Sequence, residues 1–138
     1  MDVSITVIDR HFEGDNDEGT CGELRAAGKM KKSSDSFVVT YKETVESPND
    51  CETTLKIEKD RITMIRCGRF RTSMIFESGK RHSALYETPF GKAMIGIYTH
   101  SLFIDFDKEG GQMNFAYSID CNGDLVSENE LKIFVEVK

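Results

Sequence analysis

The chain is dominated by alternating apolar and polar residues, which is the period of a β-strand. In the first segment, Val3, Ile5 and Val7 alternate with Ser4 and Thr6. β-Branched and aromatic residues are frequent in these runs, as is typical of strands in a largely covered sheet. The same alternation recurs in three later segments, residues 62–67, 113–120 and 131–138. The pattern therefore predicts an all-β protein.

Short turn signals separate the runs. The pair Asn122-Gly123 predicts a two-residue hairpin, because both residue types tolerate positive φ. Parallel neighbours would need crossovers of about a dozen residues, so we expect mostly antiparallel pairing. The long segment Met94–Phe106 is expected to pair with two neighbours. Because barrels hide their edge strands, a meander of about 8–10 strands is expected to close into a single antiparallel β-barrel.

Length and charge narrow the function classes. The 138 residues fit one domain, residues 1–138, and the 38% hydrophobic and 30% charged composition is typical of a globular chain. The net charge of −6 argues against nucleic acid as a partner, since that binding draws on clustered Lys and Arg. Five acidic residues fall within 13–23, which we predict to be a loop between the first two strands. No apolar run reaches the ~20 residues that cross a bilayer, so no membrane association is expected.

Cysteine usage and the first residues indicate the compartment. The four cysteines are far apart and form no C-x-x-C pair. The segment that begins Met1-Asp2 has neither the basic nor the apolar region of a signal peptide. We therefore expect a cytoplasmic protein with reduced thiols.

Motifs for catalysis and metal binding are missing from the sequence. The three histidines stand in none of the spacings that place two imidazoles together, and neither a G-x-S-x-G elbow nor a phosphate-binding glycine loop occurs. Cys67 shares a face of its predicted strand with Ile65, so we expect a buried, unreactive thiol. The prediction is a protein that is not an enzyme, with no catalytic residues, no metal and no cofactor.

Five segments stand in a distinctive order and spacing: residues 41–43, 53–57, 66–68, 86–91 and 127–133. The Thr88-Pro89-Phe90-Gly91 turn is the most distinctive of them. In these segments the chain resembles the YwiB-like family of small bacterial proteins of unknown function. The resemblance implies a calycin-type, lipocalin-like barrel and says nothing about activity. The chain differs from true lipocalins, whose Gly-x-Trp signature needs the tryptophan that this sequence lacks.

Arg66 is the most informative polar residue. It is in phase with Ile62 and Met64, so if those residues are core, Arg66 points into the barrel or lies near its mouth. A buried guanidinium needs a partner, because an uncompensated buried charge is costly. The residues that we expect to line the barrel with it are Tyr41, Glu43 and Tyr86. Two interpretations remain open: an internal network that closes one barrel end, or a lining for a small carboxylate or phosphate.

The function that this pattern favours is binding of a small apolar or anionic molecule inside the barrel, with Tyr41, Glu43, Arg66 and Tyr86 as ligand-binding residues. The alternative is a packed barrel without ligand that serves as a protein–protein interaction module or forms a homodimer.

Overall fold

The computed structural model describes residues 1–13, 20–43, 51–68 and 71–138. Within these ranges the regular elements are ten β-strands. They are β1 (Asp2–Glu13), β2 (Thr20–Lys32), β3 (Phe37–Glu43), β4 (Cys51–Ile57), β5 (Ile62–Cys67), β6 (Thr72–Phe76), β7 (Arg81–Thr88), β8 (Gly91–Asp107), β9 (Gly110–Cys121) and β10 (Asp124–Val137). No helix in the described part of the chain is long and apolar enough to span a bilayer.

The strands form one antiparallel sheet in the order β6-β5-β4-β3-β2-β1-β10-β9-β8-β7. β1 and β10 pair over a long stretch, from Val3 opposite Val137 to Glu13 opposite Ser127. The sheet curls until β6 and β7 meet, where the amides of Arg71 and Glu87 donate to each other's carbonyls at 2.9 and 2.8 Å. The predicted antiparallel meander is therefore confirmed, and it is nearly closed into a barrel.

β8 pairs with β7 along its first half and with β9 over most of its length. The long segment predicted to serve two neighbours is thus a single strand. A register shift lies between Thr99 and Ser101 in the β8–β9 pair, and another lies between Leu125 and Ser127 in the β10–β9 pair. Each shift moves the following residues to the other face of the sheet.

Apolar side chains fill the middle of the barrel. Phe76 is fully buried, and its ring centroid lies 4.6 Å from that of Phe115 and 4.8 Å from that of Tyr117. Ile5, Leu55, Ile97 and other fully buried residues surround these rings. The centre is therefore a packed core.

The two ends of the barrel differ in chemistry. At the end that we call the apolar end, the rings of Phe37 and Phe106 meet edge to face at 5.1 Å. A recess of about 280 Å³ lies beside them. It is lined by Asp35, Phe37, Ile57, Glu58, Lys59, Ile104 and Phe106. At the opposite end, which we call the polar end, the inward positions carry polar side chains.

Two sequence predictions need correction. The segment 13–23 is only partly a connection, because β1 continues through Glu13 and β2 begins at Thr20; residues 14–19 lie outside the described ranges. Cys67 is exposed rather than buried. It shares the outer face of β5 with Ile65, which is 40% exposed, whereas the inner face carries Ile62 and Met64. Alternation with an apolar residue did not indicate burial here, because that apolar residue itself faces solvent.

Candidate functional site

A row of polar side chains crosses four strands at the polar end. His11 on β1 lies opposite Asn129 on β10, Asn129 lies opposite Tyr117 on β9, and Tyr117 lies opposite Thr99 on β8. Asn129, Tyr117 and Thr99 are buried, and His11 is half-buried. We call these four residues the first polar row.

Hydrogen bonds fix one part of the first polar row. His11 Nδ1 lies 2.5 Å from Oδ1 of Asn129. Because an amide oxygen only accepts, Nδ1 of His11 carries the proton in this contact. The amide nitrogen of Asn129 donates in turn to Oγ of Ser127 at 3.1 Å. The imidazole and the amide therefore hold each other in fixed orientations.

A second row crosses the other side of the barrel. Tyr41 on β3 lies opposite Thr53 on β4, Thr53 lies opposite Arg66 on β5, and Arg66 lies opposite Thr72 on β6. Tyr41, Thr53 and Thr72 are buried and Arg66 is half-buried. We call these four residues the second polar row. It brings a cation to an inward position at the polar end.

Electrostatics connects the two rows. Burial raises the pKa of Tyr117 to about 12, the Arg66 charge lowers it and the Asp9 charge raises it. Tyr117 of the first polar row also packs against Phe76 on β6, the strand that carries Thr72 of the second polar row, with ring centroids 4.8 Å apart, so the two rows face a common space. Asp9 is in phase with Val3 and Ile5 on β1 and is exposed, which places it at the mouth.

Each row holds a buried hydroxyl that lacks a hydrogen-bond partner among the described residues. These are Oγ1 of Thr72, whose residue is 8% exposed, and Oγ1 of Thr99, whose residue is fully buried. Leaving a buried hydroxyl unsatisfied costs about 1–3 kcal/mol, so such groups are rare in a packed core. Their presence at the polar end indicates a place where a guest molecule would find hydrogen-bond partners.

The structure brings together three of the four residues predicted as ligand-binding. Tyr41 and Arg66 belong to the second polar row. Tyr86 is half-buried on β7 in phase with the buried Ala84, and the bridge from Arg71 to Glu87 sets its strand beside Thr72. Glu43 is the last residue of β3, but its side chain lies outside the described part of the structure.

Sequence reasoning missed the first polar row, although a signal was present. Val3, Ile5 and Val7 define the inner face of the first strand, and continuing the alternation leads to Asp9 and His11. The same extension backwards from Leu131 and Ile133 leads to Asn129 of the first polar row and to Ser127, its hydrogen-bond partner. Continuing the alternation beyond the last apolar residue of a strand thus predicts which polar side chains point into the barrel.

The described residues also include histidines, cysteines and carboxylates, the side chains that commonly bind metal ions. Within the described ranges, no group of three or more His, Cys, Asp or Glu residues is arranged to hold a metal ion. Cys21, Cys67 and Cys121 are free thiols. The described side chains of the polar end offer charge, at Arg66 and Asp9, and hydrogen bonding, at Asn129, Thr72 and Thr99.

Comparisons with known proteins agree with the fold. Residues 5–133 match the sequence profile of a family described as a domain of unknown function, DUF1934. The fold is similar to the crystal structure of the YwiB protein from Bacillus subtilis, with a TM-score of 0.82 and 20% sequence identity. That match covers 99% of this chain and 93% of the other. No protein with a curated function matches the sequence.

Proposed function

The chain belongs to the DUF1934 family of domains of unknown function, and we propose that it binds a small anionic molecule at the polar end without catalysing a reaction. The observation that carries the proposal is the half-buried Arg66 on the inner face of β5, with the buried Thr53 and Thr72 opposite it on the two neighbouring strands. A guanidinium binds carboxylate or phosphate through two parallel hydrogen bonds, which suits a small anion.

The buried hydroxyls support an anionic guest. Thr72 lies directly opposite Arg66 across β5 and β6, and Thr99 lies opposite Tyr117. A bound anion would accept hydrogen bonds from one or both hydroxyls and relieve the cost of leaving them unsatisfied. The same groups give no advantage to a purely apolar molecule.

The packed centre argues against an apolar guest enclosed in the barrel. Phe76, Phe115 and Tyr117 occupy the space in which a lipocalin-like ligand would lie. These contacts support an anionic guest at the polar end over an apolar guest in the centre of the barrel.

A ligand screen with a matched arginine control tests the proposal. Malate, citrate, pyruvate and inorganic phosphate are added singly to the wild-type protein, and thermal unfolding and native mass spectrometry report binding. We expect at least one of these anions to raise the unfolding temperature, because a ligand that binds only the native state stabilises it. Arg66→Gln should abolish that effect. Arg71→Gln changes an exposed arginine that directly precedes β6 and should retain it.

Two outcomes would contradict anion binding. One is an unfolding temperature that none of the anions changes; the other is an equal response of the wild type and Arg66→Gln. If Arg66→Gln also lowers the unfolding temperature without added anion, Arg66 belongs to an internal network that closes the barrel end.

Self-association is the second candidate function, and a separate observation supports it. Phe90 is 87% exposed at the β7–β8 turn, Met94 on β8 of the same hairpin is 58% exposed, and Leu125 on β10 is 63% exposed. Exposed apolar residues that cluster on one side often mark a protein contact. Light scattering after size exclusion should then show a dimer that Phe90→Ser disperses. A monomer at all concentrations would reject this candidate.

A further inference from the structure

β8 extends well beyond the strand that lies beside it. Its ladder with β7 ends one residue before Thr99, whereas its ladder with β9 continues to Asp107. At Thr99 the loop after β6 takes the place of β7: Gly79 donates its N–H to the Thr99 carbonyl at 2.8 Å, and Thr99 donates its own N–H to the Lys80 carbonyl at 3.2 Å. Over residues 101–107, the described backbone makes no hydrogen bond on this side of β8. We call this side of residues 101–107 the free edge of β8.

The backbone directs its hydrogen-bonding groups towards the free edge at every second residue. A Cβ on Gly111 of β9 would collide with the carbonyl oxygen of Asp105, so that carbonyl points towards β9. Because these groups alternate in direction along a strand, the N–H and C=O groups of Leu102, Ile104 and Phe106 point away from β9. The side chains of the same three residues pack against the core. The free edge thus offers a row of donors and acceptors in the regular spacing of a β-strand.

The free edge borders the recess at the apolar end of the barrel. Ile104 and Phe106 line this recess of about 280 Å³ together with Phe37 from β3 and Ile57 from β4. Ile104, Phe106 and Phe37 are half-buried, so they still have apolar surface to cover. A strand that lay along the free edge would therefore find apolar contacts for its inward side chains.

The outward side of the free edge is acidic. Asp105 and Asp107 are exposed on the strand itself. The recess adds no net charge, because Arg61 donates to both carboxylate oxygens of Glu58 at 3.2 and 3.1 Å, and its other charged lining residues are one aspartate and one lysine. Opposite charges on neighbouring strands attract each other, so the edge favours basic side chains at the outward positions of an added strand.

We propose that the free edge of β8 binds an extended segment of a partner protein by strand addition. The segment has apolar side chains towards the recess and basic side chains towards Asp105 and Asp107. An exposed edge is a template for such pairing, in which main-chain hydrogen bonds supply affinity and the alternating side chains supply specificity. The site lies at the apolar end, so the inference does not depend on anion binding at the polar end.

Synthetic peptides test the proposal by isothermal titration calorimetry. A capped seven-residue peptide that alternates lysine with valine should bind the wild-type protein. The same peptide with glutamate in place of lysine should bind at least about tenfold more weakly, because like charges then meet at Asp105 and Asp107.

Methylated peptides separate main-chain pairing from other contacts. In an antiparallel pair with β8, the valine nitrogens face the free edge and the lysine nitrogens face away from it. Methylation of the valine nitrogens should weaken binding at least about tenfold, because their hydrogen bonds to β8 are lost. Methylation of the lysine nitrogens is the matched control and should leave most of the affinity.

Two variants of one residue test the edge itself. Ile104→Pro removes an N–H that faces the free edge and leaves the ladder with β9 intact, whereas Ile104→Ala keeps that N–H. Both variants lose the isoleucine side chain, so we expect Ile104→Pro to bind the lysine–valine peptide at least about fivefold more weakly than Ile104→Ala. Asp105→Asn should weaken binding about twofold to fivefold at low salt, and Asp124→Asn, at an exposed carboxylate on β10, should leave it unchanged.

Several results would overturn the proposal. They are the absence of binding by the lysine–valine peptide, equal binding of the lysine and glutamate peptides, and equal binding of the two methylated peptides. If Ile104→Pro does not fold, the methylated peptides decide the question on the wild-type protein. If light scattering shows a dimer that Ile104→Pro disperses and Phe90→Ser does not, a second copy of the chain occupies the edge and the assignment to a partner segment is wrong.

Discussion

Phe76 links the packed centre of the barrel to its weakest junction. The residue is the last of β6, a five-residue strand with a regular ladder on β5 only. On the side away from β5, the described backbone hydrogen bonds lie before and after β6: they join Arg71 to Glu87 before it, and Gly79 and Lys80 to Thr99 on β8 after it. Side-chain packing by Phe76 against Phe115 and Tyr117 therefore holds β6 to the far wall. We predict that Phe76→Ala strongly destabilises the protein.

The expected loss follows from burial and ring contacts. Removing a buried phenylalanine side chain costs about 3–5 kcal/mol. Phe76 is fully buried and makes two aromatic contacts, which are worth about 0.5–1.5 kcal/mol each beyond the buried area. The range of about 3–5 kcal/mol already includes such contacts on average, so these two place the expected loss in its upper part, about 4–5 kcal/mol in the free energy of unfolding. Phe76→Leu keeps most of the volume and should cost about 1–2 kcal/mol.

Urea unfolding followed by circular dichroism measures the effect, since the chain has no tryptophan for fluorescence. Phe103→Ala is the control, because Phe103 is 51% exposed and an exposed substitution usually changes stability by less than about 0.5 kcal/mol. The midpoint of Phe76→Ala should fall well below that of the control with an unchanged slope. Equal midpoints for the two variants would refute the argument that Phe76 holds β6 in place. If Phe76→Ala does not fold at all, Phe76→Leu is compared with Phe103→Ala instead, and its urea midpoint should be the lower of the two.

Two further predictions concern a titrating group and a backbone position. Burial raises the pKa of Tyr117 to about 12. The protonated phenol therefore stabilises the native state in full below the ordinary pKa near 10, and this stabilisation is lost as the pH rises towards 12. Tyr117→Phe should flatten the decline of the unfolding free energy between about pH 10 and 12. The same slope in the wild type and in Tyr117→Phe would contradict this. Gly111 has φ +150°, and a Cβ there would lie 2.0 Å from the Asp105 carbonyl oxygen, so Gly111→Ala should cost at least about 2–3 kcal/mol in urea unfolding. Gly79→Ala, at φ +75° with open space around it, should cost only about 1 kcal/mol, and equal losses would show that the contact at Gly111 does not matter.

The alternation of apolar and polar residues was sufficient to predict much of the fold and part of the candidate site. Alternation sets which side chains share a face, and turn residues set where strands reverse, so both are local and readable in sequence. Arg66 was assigned to the inner face in this way, from its phase with Ile62 and Met64. The antiparallel meander followed from the short connections.

The first polar row could not be predicted as a unit. It depends on the pairing of β1 with β10, which are far apart in sequence, and on the register shift between Thr99 and Ser101. An alternation carried past that shift without correction puts residues on the wrong face. The position at which β6 meets β7 could not be predicted from local sequence either, because it depends on how far the whole sheet curls.

The pairing of β1 with β10 also bears on the order of folding. Each of the other regular ladders joins strands that follow each other in sequence, so those hairpins can form early. Bringing β1 to β10 closes a loop of almost the entire chain, and that entropic cost is met only when the other strands are in place. His11 lies on β1 whereas Asn129 and Tyr117 lie on β10 and β9, so the polar end is assembled by this last step. A molecule that binds there would recognise only chains that have finished folding.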